Sequence, residues 1–261
     1  MSNVGFADGL AWSRSGFLAV ADVRQRKIIR IDSTPHPQTL RENDGGVSGI
    51  AFDLQGRMYM CESEEHRVSR TDTKGKLEML AEGYQGKKFN APNDIVVRRD
   101  GHVYFTDPAF GSANDRRELD FYGVWHISPK GDVDVIAKWQ TRPNGVAFSP
   151  DGKLLYVTDS DRHTVVVFDV DKAGAAANQR DLIRNIVGVP GGLRTDADGR
   201  LYIAAKGVAI YTPAGKLERT LMEDTLTTNC TFGEGELDAL FVSARNSIYR
   251  VKLGVKGALQ Y

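Results

Sequence analysis

Short apolar runs alternate with polar turns along the whole chain, and no run exceeds five residues, a length reached at Phe17 to Ala21 and Leu201 to Ala205. The runs are rich in Val, Ile, Tyr and Phe, with Gly and Asp gathered between them, which favours strands over helices. One pattern recurs six times, opening at Asp8-Gly-Leu-Ala-Trp, Ser48-Gly-Ile-Ala-Phe, Asn93-Asp-Ile-Val-Val, Asn144-Gly-Val-Ala-Phe, Gly191-Gly-Leu-Arg-Thr and Asn229-Cys-Thr-Phe-Gly. In five copies a turn glycine (Gly16, Gly56, Gly101, Gly152, Gly199) leads into a second apolar run, and the sixth copy uses Gly235-Glu-Leu-Asp. Third strands follow, among them Lys27 to Ile31, Thr164 to Phe168 and Ser247 to Val251.

Openers spaced 38 to 51 residues apart match a four-stranded meander. A lone sheet of that kind cannot bury both faces, whereas six set radially bury each against its neighbour. The expectation is an all-β, six-bladed β-propeller forming a single domain over residues 1–261, with blades opening near 8, 48, 93, 144, 191 and 229. A solenoid of stacked sheets is the competing architecture. The segment from Ala173 to Arg184 carries three consecutive alanines and is the one helical candidate, taken here as a loop insertion. Either the residues before Asp8 or those from Gly254 to Tyr261 should supply the closing edge strand.

The 34 basic and 34 acidic side chains cancel, which argues against nucleic acid or an acidic membrane surface as partner and leaves a small molecule. No segment approaches the roughly 20 apolar residues of a membrane span. The first residues lack the basic and apolar regions of a signal peptide, and Cys61 and Cys230 are the only cysteines, so a cytoplasmic location is expected. Oligomeric state is left open.

In a propeller the residue opening each inner strand stands at one mouth of the central channel. Asp8, Ser48, Asn93, Asn144, Gly191 and Asn229 would therefore form a ring containing one carboxylate and three amides. Such oxygen donors suit calcium, which takes six to eight oxygen ligands in irregular geometry. Asn and Asp at strand entries are also ordinary turn residues bonding their own backbone. The five histidines show no zinc-ligand spacing. Asp22, Asp107 and Asp159 end second strands and are expected to bond between blades, while Trp12, Phe52 and Phe148 share a register expected to be inter-blade core. No nucleophile elbow or phosphate loop is present, and Cys61 lies within an apolar strand.

The stretches Phe89-Asn-Ala-Pro-Asn-Asp-Ile-Val-Val, Tyr104-Phe-Thr-Asp-Pro108 and Arg142-Pro-Asn-Gly-Val-Ala-Phe-Ser-Pro-Asp-Gly152 resemble the third and fourth blades of the gluconolactonase and regucalcin (senescence marker protein) family. Cys61-Glu62 and Thr228-Asn-Cys-Thr-Phe-Gly233 are closer to its bacterial sugar-lactonase branch. The resemblance implies a metal-dependent hydrolase of a small lactone, with one divalent cation (calcium, or zinc or manganese) at the channel mouth as Lewis acid. It implies Asp8, Asn93 and Asn144 as metal ligands, Asp8 and Asn93 as catalytic residues, and Asn93, Asp94 and Asn229 as substrate contacts. Gly191 stands where the family has an Asp that ligates the metal and activates water, so the base position is not functional as such. The alternative is a propeller that binds a small molecule or metal without hydrolysis, or runs a different reaction in the same pocket. If only that Asp is missing, Gly191→Asp should create activity.

Overall fold

A computed structural model describes residues 4–34 and 36–259. Six antiparallel sheets surround a channel, each inner strand lying beside the next and the sixth beside the first, so the chain is a closed six-bladed β-propeller. The inner strands are Ala7–Ser13, Val47–Phe52, Ile95–Val97, Pro143–Phe148, Leu193–Thr195 and Asn229–Gly233. Blades one to four have four strands, and blades five and six have three. In blade five the strand Leu201–Tyr211 covers the span that other blades divide between two strands, pairing with the inner strand through its first half and with Leu217–Leu226 through its second.

The alanine-bearing segment is the fourth strand of blade four, Ala176–Ile183, and not a loop. Its alanines favour helix, but the segment has no apolar face at helical spacing, while the open edge of Thr164–Val170 offers backbone partners, as in Asp169↔Ala177 and Val165↔Ile183. The only helical segment among the described residues is a 3-10 turn, Gly111–Arg116. No helix there is long and apolar enough to cross a membrane.

Burial falls into six clusters, one at each blade interface. The expected aromatic register lies in these seams. Trp12 stacks on Phe241 of blade six at 5.7 Å, Phe52 meets Phe17 of blade one edge-on at 5.8 Å, and Phe148 meets Tyr104 of blade three at 5.0 Å. Each inner-strand ring thus packs on a second-strand ring of the preceding blade, and such pairs add about 0.5–1.5 kcal/mol beyond area burial.

Nearer the axis the strands approach so closely that side chains are excluded. A Cβ on Gly9 would lie 2.1 Å from the Ser48 carbonyl oxygen, one on Gly49 2.4 Å from that of Asn93, and one on Gly145 2.5 Å from that of Gly191. These glycines follow the openers of blades one, two and four, and their contacts draw neighbouring openers together.

Asp22, Asp107 and Asp159 do not bond between blades. Each accepts from the lead-in to its own blade's opener: Asp22 from the backbone of Gly5 and Phe6, Asp107 from that of Asn90 and Ala91, and Asp159 from the Thr141 hydroxyl. A carboxylate at the end of the second strand lies beside the incoming chain of its own sheet, where unpaired N–H groups need an acceptor.

Neither terminus adds a strand to blade six. The Ala7 amide donates to the Arg245 carbonyl, while Lys256 to Ala258 stitch blades five and six at the far end of the channel through Ala197 N to Lys256 O, Ala258 N to Thr195 O and Gly257 N to Leu237 O.

One contact at the blade three and four seam escapes the histidine spacing. His102 Nδ1 and His126 Nε2 are 2.6 Å apart with rings stacked, and the blade-four loop packs over them at Gly174. Asp100 lies 3.9 Å from His102 Nε2 and Asp134 3.7 Å from His126 Nδ1. Burial lowers both imidazole pKa values from 6.5, and for His126 the neighbouring His102 adds to it.

Gly49→Ala should cost about 1–3 kcal/mol, the usual price of overpacking, whereas Gly235→Ala, with nothing within 4 Å, should be close to neutral. Urea unfolding of the two variants checks this, and equal stabilities would mean the strands can part at no cost. For the histidine pair, a folded-state pKa below the unfolded value gives stability that is complete above pH 6.5 and lost as pH falls through the lowered values. The parent should therefore lose more melting temperature between pH 6.5 and about 5 than His126→Gln does, and parallel curves would mean that the pair does not titrate in that range.

Candidate active site at the channel mouth

The six openers surround the mouth, but their side chains do different things. Ser48 Oγ donates to Asp8 Oδ2 at 3.0 Å and accepts from Asn93 Nδ2 at 3.0 Å, linking three consecutive blades. Asn144 Nδ2 donates to Ser160 Oγ at 3.0 Å, and Ser160 Oγ donates to the Pro190 carbonyl at 2.8 Å. Gly191 contributes backbone only, its carbonyl accepting from Thr158 Oγ1 at 2.7 Å. Asn229 is buried with its amide lodged over the Cα of Gly192, and its Oδ1 accepts from the Cys230 amide at 2.8 Å.

Beneath the openers lies a second layer. Asp94 is 1% exposed, its Oδ2 accepting from the Val146 amide at 3.0 Å and lying 3.6 Å from Arg194 Nη1, while its Oδ1 is buried without a hydrogen-bond partner. Arg194 is itself buried and donates to the Leu193 carbonyl at 2.7 Å. Further down, a cavity of about 50 Å³ is lined by Arg194, Thr231 and the C-terminal Ala258 and Leu259.

Burial raises the Asp8 pKa to about 7 against the opposing Ser48 hydrogen bond, and the nearby Asp94 charge raises it further. Asp94 is also raised by burial, with Arg194 and backbone amides acting the other way. The mouth thus holds one carboxylate whose proton equilibrates near neutrality, above a buried ion pair.

A hard cation would find Asp8 and the amide oxygens of Asn93 and Asn144, whose Nδ2 groups are already engaged by serines. The donor chemistry fits, but the charge is low, since affinity follows the number of anionic ligands. Among the described residues no three His, Cys, Asp or Glu side chains cluster so as to hold a metal. Nor can Gly191 supply the missing carboxylate in place, because its Cβ would lie 2.2 Å from the Thr228 carbonyl oxygen.

The sequence analysis passed over Ser48 as a ligand-shaping residue and missed Arg194 and a set of hydroxyls. Thr106, Thr158 and Ser243 each donate from a second strand to the opener carbonyl of the following blade, at Asn144, Gly191 and Asp8 respectively. The Thr-Asp pairs at 106–107 and 158–159, in one register, were the available signal.

A family profile described as the SMP-30/gluconolactonase/LRE-like region matches residues 6–246. A gluconolactonase of Zymomonas mobilis is 33% identical over 226 residues, which cover 79% of this chain and 63% of that protein, so the chain spans less than two thirds of that relative's length. Among solved structures, XC5397 of Xanthomonas campestris, a gluconolactonase, superposes with a TM-score of 0.87 at 26% identity over 96% of this chain and 87% of its own. A regucalcin of Agrobacterium tumefaciens, described as a calcium-binding protein, shares the fold with a TM-score of 0.84 at 18% identity, covering 100% of this chain and 93% of its own. With the profile spanning all six openers of a ring that also carries the expected Asp8, Asn93 and Asn144, the chain belongs to the SMP-30/gluconolactonase/LRE-like family.

Proposed function

We propose that this propeller hydrolyses a small cyclic ester at the channel mouth, water adding to the lactone carbonyl and the ring C–O bond breaking to give a hydroxy acid. The observation that carries the reading is Asp8, a carboxylate with pKa about 7 held beside Asn93 by a shared serine, in a chain one-third identical to a gluconolactonase.

Asp8 acts as general base, since a carboxylate titrating near the working pH can accept the proton of the attacking water and return it to the departing alkoxide. Asn93 and Asn144 orient the ligand, and Asp94 offers its unpartnered oxygen to a ligand hydroxyl that reaches past them. A divalent cation held by Asp8, Asn93 and Asn144 would supply Lewis-acid polarisation of the ester carbonyl. Calcium is the cation we favour, in line with the description of the Agrobacterium regucalcin. Small-molecule turnover in a reducing cytoplasm agrees with two buried, unpaired cysteines.

One observation favours a second reading, in which the pocket binds without turnover: Gly191 adds no carboxylate and has no room for one. That steric limit also reverses the expectation for Gly191→Asp.

Assay of the purified chain against a panel of aldonolactones, with calcium, zinc and manganese in turn, decides between the two. Hydrolysis should appear, and Asp8→Asn should lower kcat/KM by about 100-fold or more with the melting temperature kept or raised. An inert parent across the panel leaves the binding reading, and an active Asp8→Asn removes Asp8 from the chemistry. Gly191→Asp should melt below the parent and bind calcium no more tightly in a calorimetric titration, and a tighter calcium site in a stable variant would show that blade five can yield at Thr228.

A further inference from the structure

The direction of the hydroxyl protons determines which way the amides at the mouth face. A serine hydroxyl has one proton to give. The proton of Ser160 goes to the Pro190 carbonyl, which can only accept, so Ser160 can only accept from Asn144, and that amide must turn its Nδ2 inward. The proton of Ser48 goes to the Asp8 carboxylate, so Ser48 likewise accepts from Asn93 and holds that amide by its Nδ2. Both Oδ1 atoms are left for the occupant of the mouth. Proton accounting fixes these orientations independently of how an amide is drawn.

We infer that Ser48 and Ser160 are positioning residues that make the arc from blade one to blade four a surface of acceptors, so that its occupant is a donor: a hydroxyl-bearing neutral molecule or a hard cation, and not an anion. Asp8, Asn93 Oδ1, Asn144 Oδ1 and, beneath them, Asp94 Oδ1 all accept. The last is the independent sign, a buried carboxylate oxygen with no partner in a side chain 1% exposed. Arg194, the nearest cation, is engaged by Asp94 and the Leu193 carbonyl. Asn229 stands outside the arc, its amide over Gly192. The glycine contacts explain how one hydroxyl can serve two blades, because Gly9 and Gly49 let the backbones on either side of Ser48 come together.

The inference rests on the mouth being the ligand site of the proposed lactonase, and it narrows the substrate to an uncharged polyhydroxy lactone. The test uses binding rather than turnover, so that the two stand or fall separately. At pH 8, calorimetric titrations compare D-glucitol with D-gluconate, a neutral and an anionic probe of the same carbon skeleton, both with chelator present, and calcium alone in a third arm. Glucitol should bind at least tenfold more tightly than gluconate if hydroxyls fill the arc, and calcium alone should bind if a cation does; either result supports a donor occupant. Ser48→Ala and Ser160→Ala free the amides to turn, so at least one variant should lose threefold or more of that discrimination or of calcium affinity. Ser48→Thr, which keeps the hydroxyl, should retain it, and melting temperatures show which variants are folded. Gluconate binding as tightly as glucitol in chelator, the absence of binding by both glucitol and calcium, or full discrimination in the folded alanine variants would overturn the inference. An inert parent on lactones with the discrimination intact would sink only the lactonase.

Discussion

The inner strands touch through glycine. Where Gly9, Gly49 and Gly145 face a neighbour's carbonyl oxygen, the missing Cβ is what allows the blades to meet near the axis. The diameter of the ring follows from that approach, and so does the spacing of the openers, since a wider ring would carry Asp8 and Asn93 beyond the reach of one serine hydroxyl. The aromatic seams further out hold the blades to this spacing, but the glycines decide how close they come.

Much of the architecture was legible because a repeat states itself several times. The apolar register that predicted Trp12, Phe52 and Phe148 as seam residues needs only strand periodicity, and the structure pairs each with a ring on the preceding blade. Ala176–Ile183 was misjudged because local alanine preference is weak against an open sheet edge. The acidic ends of the second strands were identified as hydrogen-bonding groups but assigned to the wrong partner, since strand direction alone does not say whether the nearest unpaired amides belong to the same blade. Ring closure by a terminal strand was expected from the sixth blade's brevity, and the chain closes instead through direct contact of its inner strands. Asp8, Asn93 and Asn144 were found because they share a register. Ser48 and Ser160 were not given a part because their role depends on where a single proton goes, which follows only from partners brought together across blades. His102 and His126 lie 24 residues apart in no metal-like spacing, and only the pairing of their strands brings them into contact.

The electrostatics of the mouth are those of a site built with little charge. Asp94 is paired with Arg194, leaving Asp8 as the one carboxylate at the entrance, with a proton affinity raised by burial. Where relatives with a further carboxylate would hold a cation by charge, this arrangement relies on the direction of neutral dipoles.

The far end of the channel bears on traffic through it. With Ala258 and Leu259 beneath the cavity that lies under Arg194, whatever enters beside Asp8 leaves by the same door. A hydroxy acid formed there acquires a negative charge among oxygen atoms that repel it, so the bond that opens the ring also supplies the force that ejects the product and clears the entrance for the next molecule.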